Sequence, residues 1–217
     1  MSARIFVAEL IGTFSLVLIG PGSAAIGGTL VAVAFAHGLI VLSFAYGYGY
    51  ISGTHINPAV TIGLLVGRQI NFGTAVGYIV AQVIGGILGA GALWVLLSGM
   101  ESASGLGATV PAAGVSDGQA FLLEVLLTFL LVNVIFHTAV SGKGGNLAPV
   151  AIGLTLVACI LMGGPLTGAS LNPARTLGPA LFSTAPTAIS SLWIYCLACP
   201  LGGILAALVY NFLRDKE

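Results

Sequence analysis

Long apolar segments recur along this chain, and they restrict its fold more than any other feature. Six of them, at about 4–26, 30–51, 72–98, 118–140, 147–163 and 189–213, are close to the roughly 20 residues that a helix needs to cross a bilayer. Of the 217 residues, 58% are hydrophobic and 6% are charged, against about 25% charged residues in a soluble domain. We therefore expect an all-α, multi-pass integral membrane protein.

Basic residues indicate the direction in which these segments cross. Five of them lie at the ends of the segments or between them: Arg4, Arg68, Lys143, Arg214 and Lys216. If the six segments cross in alternate directions, all five fall on the same side. Because Lys and Arg concentrate in cytoplasmic loops, we expect both termini in the cytoplasm, with the plasma or inner membrane as the location.

The composition argues against several classes of function. The formal net charge is zero, so no basic patch indicates a nucleic-acid partner. The three cysteines lie in or beside apolar segments, and no cluster of Cys, His or carboxylates predicts a disulfide framework, a metal site or a bound cofactor. No nucleophile with a neighbouring base and no phosphate-binding loop is recognisable, so we do not expect an enzyme.

The sequence repeats itself once. Glu9 recurs 115 positions later as Glu124, and Asn57 recurs at the same offset as Asn172. GGILGA at 85–90 matches GGILAA at 202–207 with an offset of 117, which indicates a two-residue difference in one loop. We predict two halves, about 1–100 and 115–217, within a single transmembrane domain over 1–217. Each half holds three spans, so the second half is inserted in the opposite direction, as an inverted-topology repeat.

Two short stretches, SGTHINPAV at 52–60 and TGASLNPAR at 167–175, occupy equivalent places in the halves. An apolar segment of about 10 residues follows each Asn-Pro, and this is too short to span a bilayer. Asn is a strong helix N-cap and Pro favours the first helical position, so each segment predicts a half-helix that starts at its Asn. The residues concerned are Asn57, Pro58, Ala59, Asn172, Pro173 and Ala174.

Inverted symmetry would bring the two half-helices in from opposite faces, so that their N-termini meet near mid-membrane. Each N-terminus carries about half a positive elementary charge. Each Asn oxygen can accept an N–H of its own helix, which leaves the amide NH₂ as a donor facing the lumen. Such a site suits a neutral molecule with lone pairs and opposes a cation.

These segments resemble the major intrinsic protein family, the aquaporins and glycerol facilitators. AELIGTF, SGTHINPAV, AQVIGG, AIGL and SLNPARTLGPAL follow the family order over nearly the whole chain. The resemblance implies six transmembrane helices with two re-entrant half-helices, and a homotetramer in the lipid bilayer with one pore per subunit. It also implies passive permeation of water or small neutral solutes.

The resemblance further implies a selectivity filter toward the outside. Counted from the two Asn-Pro-Ala sequences, its four positions are His37, Ile160, Ala169 and Arg175. An Arg in a membrane segment is costly and usually faces a cavity, so Arg175 would donate hydrogen bonds to a solute and repel cations. A helix-packing role for His37, Ile160 or Ala169 is the alternative.

Glu9 and Glu124 are acids inside apolar segments. We expect each carboxylate to accept N–H groups from the irregular backbone that precedes a half-helix, because those groups must be satisfied away from water. The alternative is a proton relay or an ion-coupling site.

The leading interpretation is a channel for water, and for ammonia or other small neutral solutes, that excludes protons and ions. The filter departs from water-restricted members, which usually have an aromatic in the second span and a His in the fifth. It also departs from glycerol facilitators, which carry Asp where Thr176 follows Arg175. A glycerol or small-polyol facilitator is one alternative. A secondary active transporter is another, from a different class.

Overall fold

The chain folds into eight α-helices, six long and two short, in a computed structural model that describes residues 1–214. Lys216, one of the five basic residues above, therefore lies outside the described residues. No strand occurs between residues 1 and 214. The helices are α1 Ala3–Ala25, α2 Leu30–Ser52, α3 Pro58–Val66, α4 Phe72–Leu96, α5 Asp117–Ile135, α6 Ala148–Thr167, α7 Pro173–Phe182 and α8 Leu192–Leu213.

The six predicted spans are confirmed to within a few residues. Within the described part of the chain, six helical segments are long and apolar enough to cross a membrane. Two of them extend an α-helix: a π-helical turn, Phe136–Val140, continues α5, and a 3₁₀ turn, Gly145–Leu147, precedes α6. The sequence predicts that the fifth span ends at 163, but α6 continues through Pro165 and stops only at Gly168, which has a left-handed φ of 78°.

Side-chain caps explain where four of the long helices begin. Ser2, Thr29, Asn71 and Ser116 each accept a backbone N–H from the first turn of α1, α2, α4 and α5. Gly53, with a φ of 80°, ends α2 in the same left-handed conformation that Gly168 gives to α6. Polar caps and glycines thus set the helix boundaries in segments whose apolar composition alone would not.

Helix packing follows the same order in both halves. Helix α1 packs against α2 and α4, and α5 packs against α6 and α8. Each short helix packs against a long helix of the other half: α3 against α8, and α7 against α4. Because each half supplies a helix that the other half buries, we propose that the two halves form one domain.

Glycines allow the closest helix contacts, and they do so at equivalent positions. Gly85 in α4 lies against the backbone oxygen of Leu10 in α1, and Gly202 in α8 lies against that of Val125 in α5. A Cβ at either glycine would collide with the oxygen, so these helix pairs approach closely only because a side chain is missing there.

Candidate functional site

The two half-helices begin at their asparagines, as the sequence predicts. Asn57 Oδ1 accepts the N–H of Ala59 at 2.8 Å. Asn172 Oδ1 accepts the N–H groups of Ala174 and Arg175 at 3.0 and 3.2 Å. Each helix also has proline at its first position, where no N–H is needed.

Hydrogen bonds between the halves hold the two helix tips together. Asn57 Nδ2 donates to the Leu171 carbonyl oxygen at 2.8 Å, and Asn172 Nδ2 donates to the Ile56 carbonyl oxygen at 2.9 Å. One hydrogen of each amide is therefore used across the pseudo-symmetry axis, whereas the sequence predicts the NH₂ group facing the lumen. Both asparagines still border the central cavity, so the second hydrogen of each amide remains for a solute.

The chain before each half-helix is held in a conformation that few side chains adopt. Thr54 and Ile56 have φ values of 50° and 42°, and their equivalents, Ala169 and Leu171, have values of 44° and 55°. Non-glycine residues in this left-handed region cost about 1–3 kcal/mol each and persist only where the surroundings impose them. The same backbone conformation thus recurs at equivalent places in both halves.

Glu9 holds the first of these segments, the chain before α3, in its conformation. Its side chain is fully buried. Its two oxygens accept the N–H groups of His55 and Ile56 at 2.9 and 2.7 Å. They also accept the Ser52 hydroxyl at 2.7 Å and the Gln82 amide at 2.8 Å. These four donors use the acceptor capacity of a carboxylate.

Glu124 does the same for the second segment, also without solvent exposure. It accepts the N–H groups of Ser170 and Leu171, each at 2.9 Å, and the Thr167 hydroxyl at 2.7 Å. The fourth donor is the Cys199 thiol at 3.7 Å. Sequence reasoning missed Gln82 and Cys199; a polar residue at 82 in an otherwise apolar segment was the available signal.

A cavity of about 320 Å³ runs beside the helix tips. It extends from the membrane side where α5 and α6 are joined, at Val140 and Pro149, past both asparagines to His37 and Arg175. Its wall is mostly apolar, and its polar residues are the two asparagines, His37 and Arg175 at the far end, and Thr54, His55 and Ser170. A path of this kind suits small molecules that make a few hydrogen bonds at a time.

His37 and Arg175 lie at that far end, each 3% exposed. Arg175 Nη1 donates to the Gly107 carbonyl oxygen at 2.9 Å, and His37 Nδ1 pairs with the Val33 carbonyl oxygen at 2.8 Å. His37 Nε2 and Arg175 Nε have no hydrogen-bond partner among residues 1–214. Because buried polar atoms almost always find a partner, these two atoms lack a hydrogen bond that such groups usually make.

The other two predicted filter residues lie deeper in the wall. Ile160 and Ala169 are 2% and 1% exposed and pack into one apolar cluster with Leu127 and Leu131. In the described part of the chain, neither is among the residues that border the cavity. Their place in the filter stays a prediction, and packing is the role that their contacts support.

The loop 97–116, for which the sequence predicts no role, lies over the same end of the cavity. Gly107 accepts from Arg175, and Thr109, which is 1% exposed, bonds to Thr176. The loop falls outside the repeat, so no equivalent residue in the other half indicated its contribution.

Comparison with known proteins agrees with this geometry. A family model described as "Major intrinsic protein" matches residues 1–210. The chain is 41% identical, over 99% of its length and 100% of the relative's, to "Glycerol uptake facilitator protein-like 6" of Lactiplantibacillus plantarum. It is 40% identical, over 100% of its length and 95% of the relative's, to "Aquaporin Z" of Rhodopseudomonas palustris.

A solved structure shares the fold. The X-ray structure of the aquaglyceroporin from Plasmodium falciparum superposes with a TM-score of 0.87 at 25% identity, covering 97% of this chain and 96% of the other. With six apolar helices, the chain is an integral, multi-pass membrane protein. It belongs to the major intrinsic protein family, the aquaporin and aquaglyceroporin channels, whose members are passive transporters and not enzymes.

Proposed function

We propose that this protein is a water channel that also passes ammonia or other small neutral solutes and excludes protons and ions. One observation carries the proposal: Asn57 and Asn172, the caps of two helices that meet tip to tip, both border the same cavity. Two positive helix ends and two amide donors favour an uncharged solute with lone pairs over a cation.

The far end of the cavity supports water as the first solute. Arg175 and His37 are the polar groups there, and Thr176, where glycerol facilitators carry Asp, is fully buried and bonded to Thr109. A second candidate is glycerol or a small polyol. The observation that favours it is the 41% identity to a relative named as a glycerol uptake facilitator.

The two buried acids support a channel over a coupled transporter. Coupling to an ion gradient needs an acid that can exchange its proton or ion with the solute path. Glu9 and Glu124 are both fully buried, and each holds two backbone N–H groups and two side-chain donors. We assign both the role of supporting the re-entrant segments.

We also propose that the protein works as a homotetramer, with both termini in the cytoplasm, in the plasma or inner membrane. Of the six spans, α2 is the least buried. Within its 18-residue apolar stretch, 17% of the residues are buried, against 39–50% in the other five spans. A neighbouring subunit would cover this face. Native mass spectrometry from detergent should show four copies, and a monomer under all mild conditions would contradict the tetramer.

Stopped-flow light scattering on proteoliposomes tests the solute preference. We expect water and ammonia to pass faster than through protein-free vesicles, and glycerol and urea to pass more slowly than water. Permeation should not saturate and should not require an ion gradient. Glycerol flux comparable to water flux would favour the second candidate, and dependence on a sodium or proton gradient would favour a transporter.

A further inference from the structure

Equivalent threonines in the two half-helices are held by different partners. Thr61 in α3 and Thr176 in α7 lie 115 positions apart, and both are fully buried. Thr61 Oγ1 pairs with His55 Nδ1 at 3.1 Å and accepts from Gln82 Nε2 at 2.9 Å. Gln82 Nε2 also donates to Glu9 at 2.8 Å, so this set of bonds is complete within the first half.

The second half has no amide at the place of Gln82. The equivalent residue is Cys199, whose thiol lies 3.7 Å from the Glu124 carboxylate. Thr176 Oγ1 bonds instead to Thr109 Oγ1 at 2.9 Å and to the Ser170 hydroxyl. Thr109 comes from the loop 97–116, which lies outside the repeat. The loop thus gives Thr176 the hydrogen bond that Gln82 of α4 gives to Thr61 in the first half.

The same part of the loop also contacts the Arg175 side chain. The Gly107 carbonyl oxygen, two residues before Thr109, accepts from Arg175 Nη1 at 2.9 Å. Gly107 has a φ of 63°, and a Cβ there would collide with the backbone of Pro21. The Thr109 methyl group lies beside Gly168, the residue that ends α6. The segment 107–109 therefore contacts α1, the end of α6 and α7.

We propose that Thr109 is a positioning residue for the selectivity of the pore. Its hydroxyl, through Thr176, fixes the segment 107–109 against the first turn of α7, and Gly107 in that segment then holds the Arg175 guanidinium at the end of the cavity. This inference deepens the proposed function and rests on it, since Arg175 is taken as the filter residue. Without the hydroxyl, Arg175 should sample further orientations and the constriction should widen.

Two substitutions at Thr109 isolate the hydroxyl. Thr109→Val keeps the shape and removes the bond, whereas Thr109→Ser keeps the bond. Thr155→Val is the matched control, because the Thr155 hydroxyl donates only to Ala151 in its own helix. We expect Thr109→Val to raise the ratio of glycerol to water permeability at least about threefold, and Thr109→Ser and Thr155→Val to keep the wild-type ratio.

A second measurement does not depend on flux. Hydrogen exchange of the purified protein should be faster in the 168–176 segment of Thr109→Val by about three- to tenfold, the effect of one net hydrogen bond on a local opening equilibrium. The equivalent segment, 53–61, serves as the internal control and should exchange as in the wild type.

The outcomes separate this inference from the proposed function. Equal acceleration in both segments means general destabilisation and overturns the inference, as does Thr109→Ser behaving like Thr109→Val. The inference is also overturned if Thr109→Val keeps both the permeability ratio and the hydrogen exchange of the wild type. If the wild-type protein conducts no water, the proposed function fails, and hydrogen exchange still decides whether Thr109 holds the Arg175 segment.

Discussion

Gly20 in α1 is the residue against which the His37 ring rests. A Cβ at position 20 would come within 2.5 Å of two ring atoms, Cδ2 and Nε2. The imidazole also borders the cavity, so a side chain at 20 leaves it little space other than the solute path. We therefore propose that Gly20, although it does not line the cavity, sets the space available to the His37 ring.

Gly20→Ala should therefore narrow the pore by pushing the His37 ring into it. We expect glycerol and urea permeability to fall by roughly tenfold, equivalent to a barrier higher by about 1.4 kcal/mol, and water permeability to fall less. Stopped-flow light scattering measures both. Gly118→Ala, where a Cβ meets no neighbour within 4 Å, is the control. The double variant with His37→Ala should recover the flux; if it does not, the effect does not act through His37.

Arg175→Val tests the other wall of the constriction. Loss of the guanidinium removes both the steric restriction and the positive charge, so solute and proton permeability should both rise. Proteoliposomes loaded with a pH-sensitive dye measure the proton flux. Lys143→Gln removes an exposed positive charge at a residue that does not line the cavity and should leave both fluxes unchanged. Unchanged permeability in Arg175→Val would remove Arg175 from the filter.

At the scale of elements, the two re-entrant segments depend on their buried carboxylates. Glu124 holds two backbone N–H groups that have no access to bulk water. In Glu124→Gln, an amide NH₂ would face one of those donors and leave it unpaired. An unpaired buried group lowers the free energy of unfolding by about 1–3 kcal/mol, and by more where a charged acceptor is lost. We expect a lower midpoint of thermal unfolding in detergent. Glu101→Gln, on the surface, should behave as the wild type.

The elements themselves could be predicted from sequence, whereas several of their contacts could not. Apolar length and the Asn-Pro signal are local properties, so the six spans and both half-helices follow from them. Gln82 and Thr109 act on segments far away in the chain, and only the folded chain brings them together. For Ile160, the spacing from Asn172 predicts a place in the filter, whereas the folded chain puts it in an apolar cluster, and its filter role stays a prediction.

The whole molecule should have one orientation in the membrane. In a Cys196→Ser background, which removes the exposed native thiol, Ala113→Cys and Lys143→Cys place single exposed cysteines in the loops before and after α5. A membrane-impermeant maleimide applied to intact cells should label the first and not the second, because basic loops remain in the cytoplasm. Reversed labelling would contradict the proposed orientation.

We propose that two helix N-termini meeting in mid-membrane let neutral molecules pass and stop ions. Simultaneous measurement of water and proton flux in the same proteoliposomes tests it most directly. We predict water permeability well above that of protein-free vesicles, with the weak temperature dependence of diffusion through an open path, and proton flux at the protein-free level. Water permeability at the protein-free level, or proton flux that rises together with water flux, would contradict the claim.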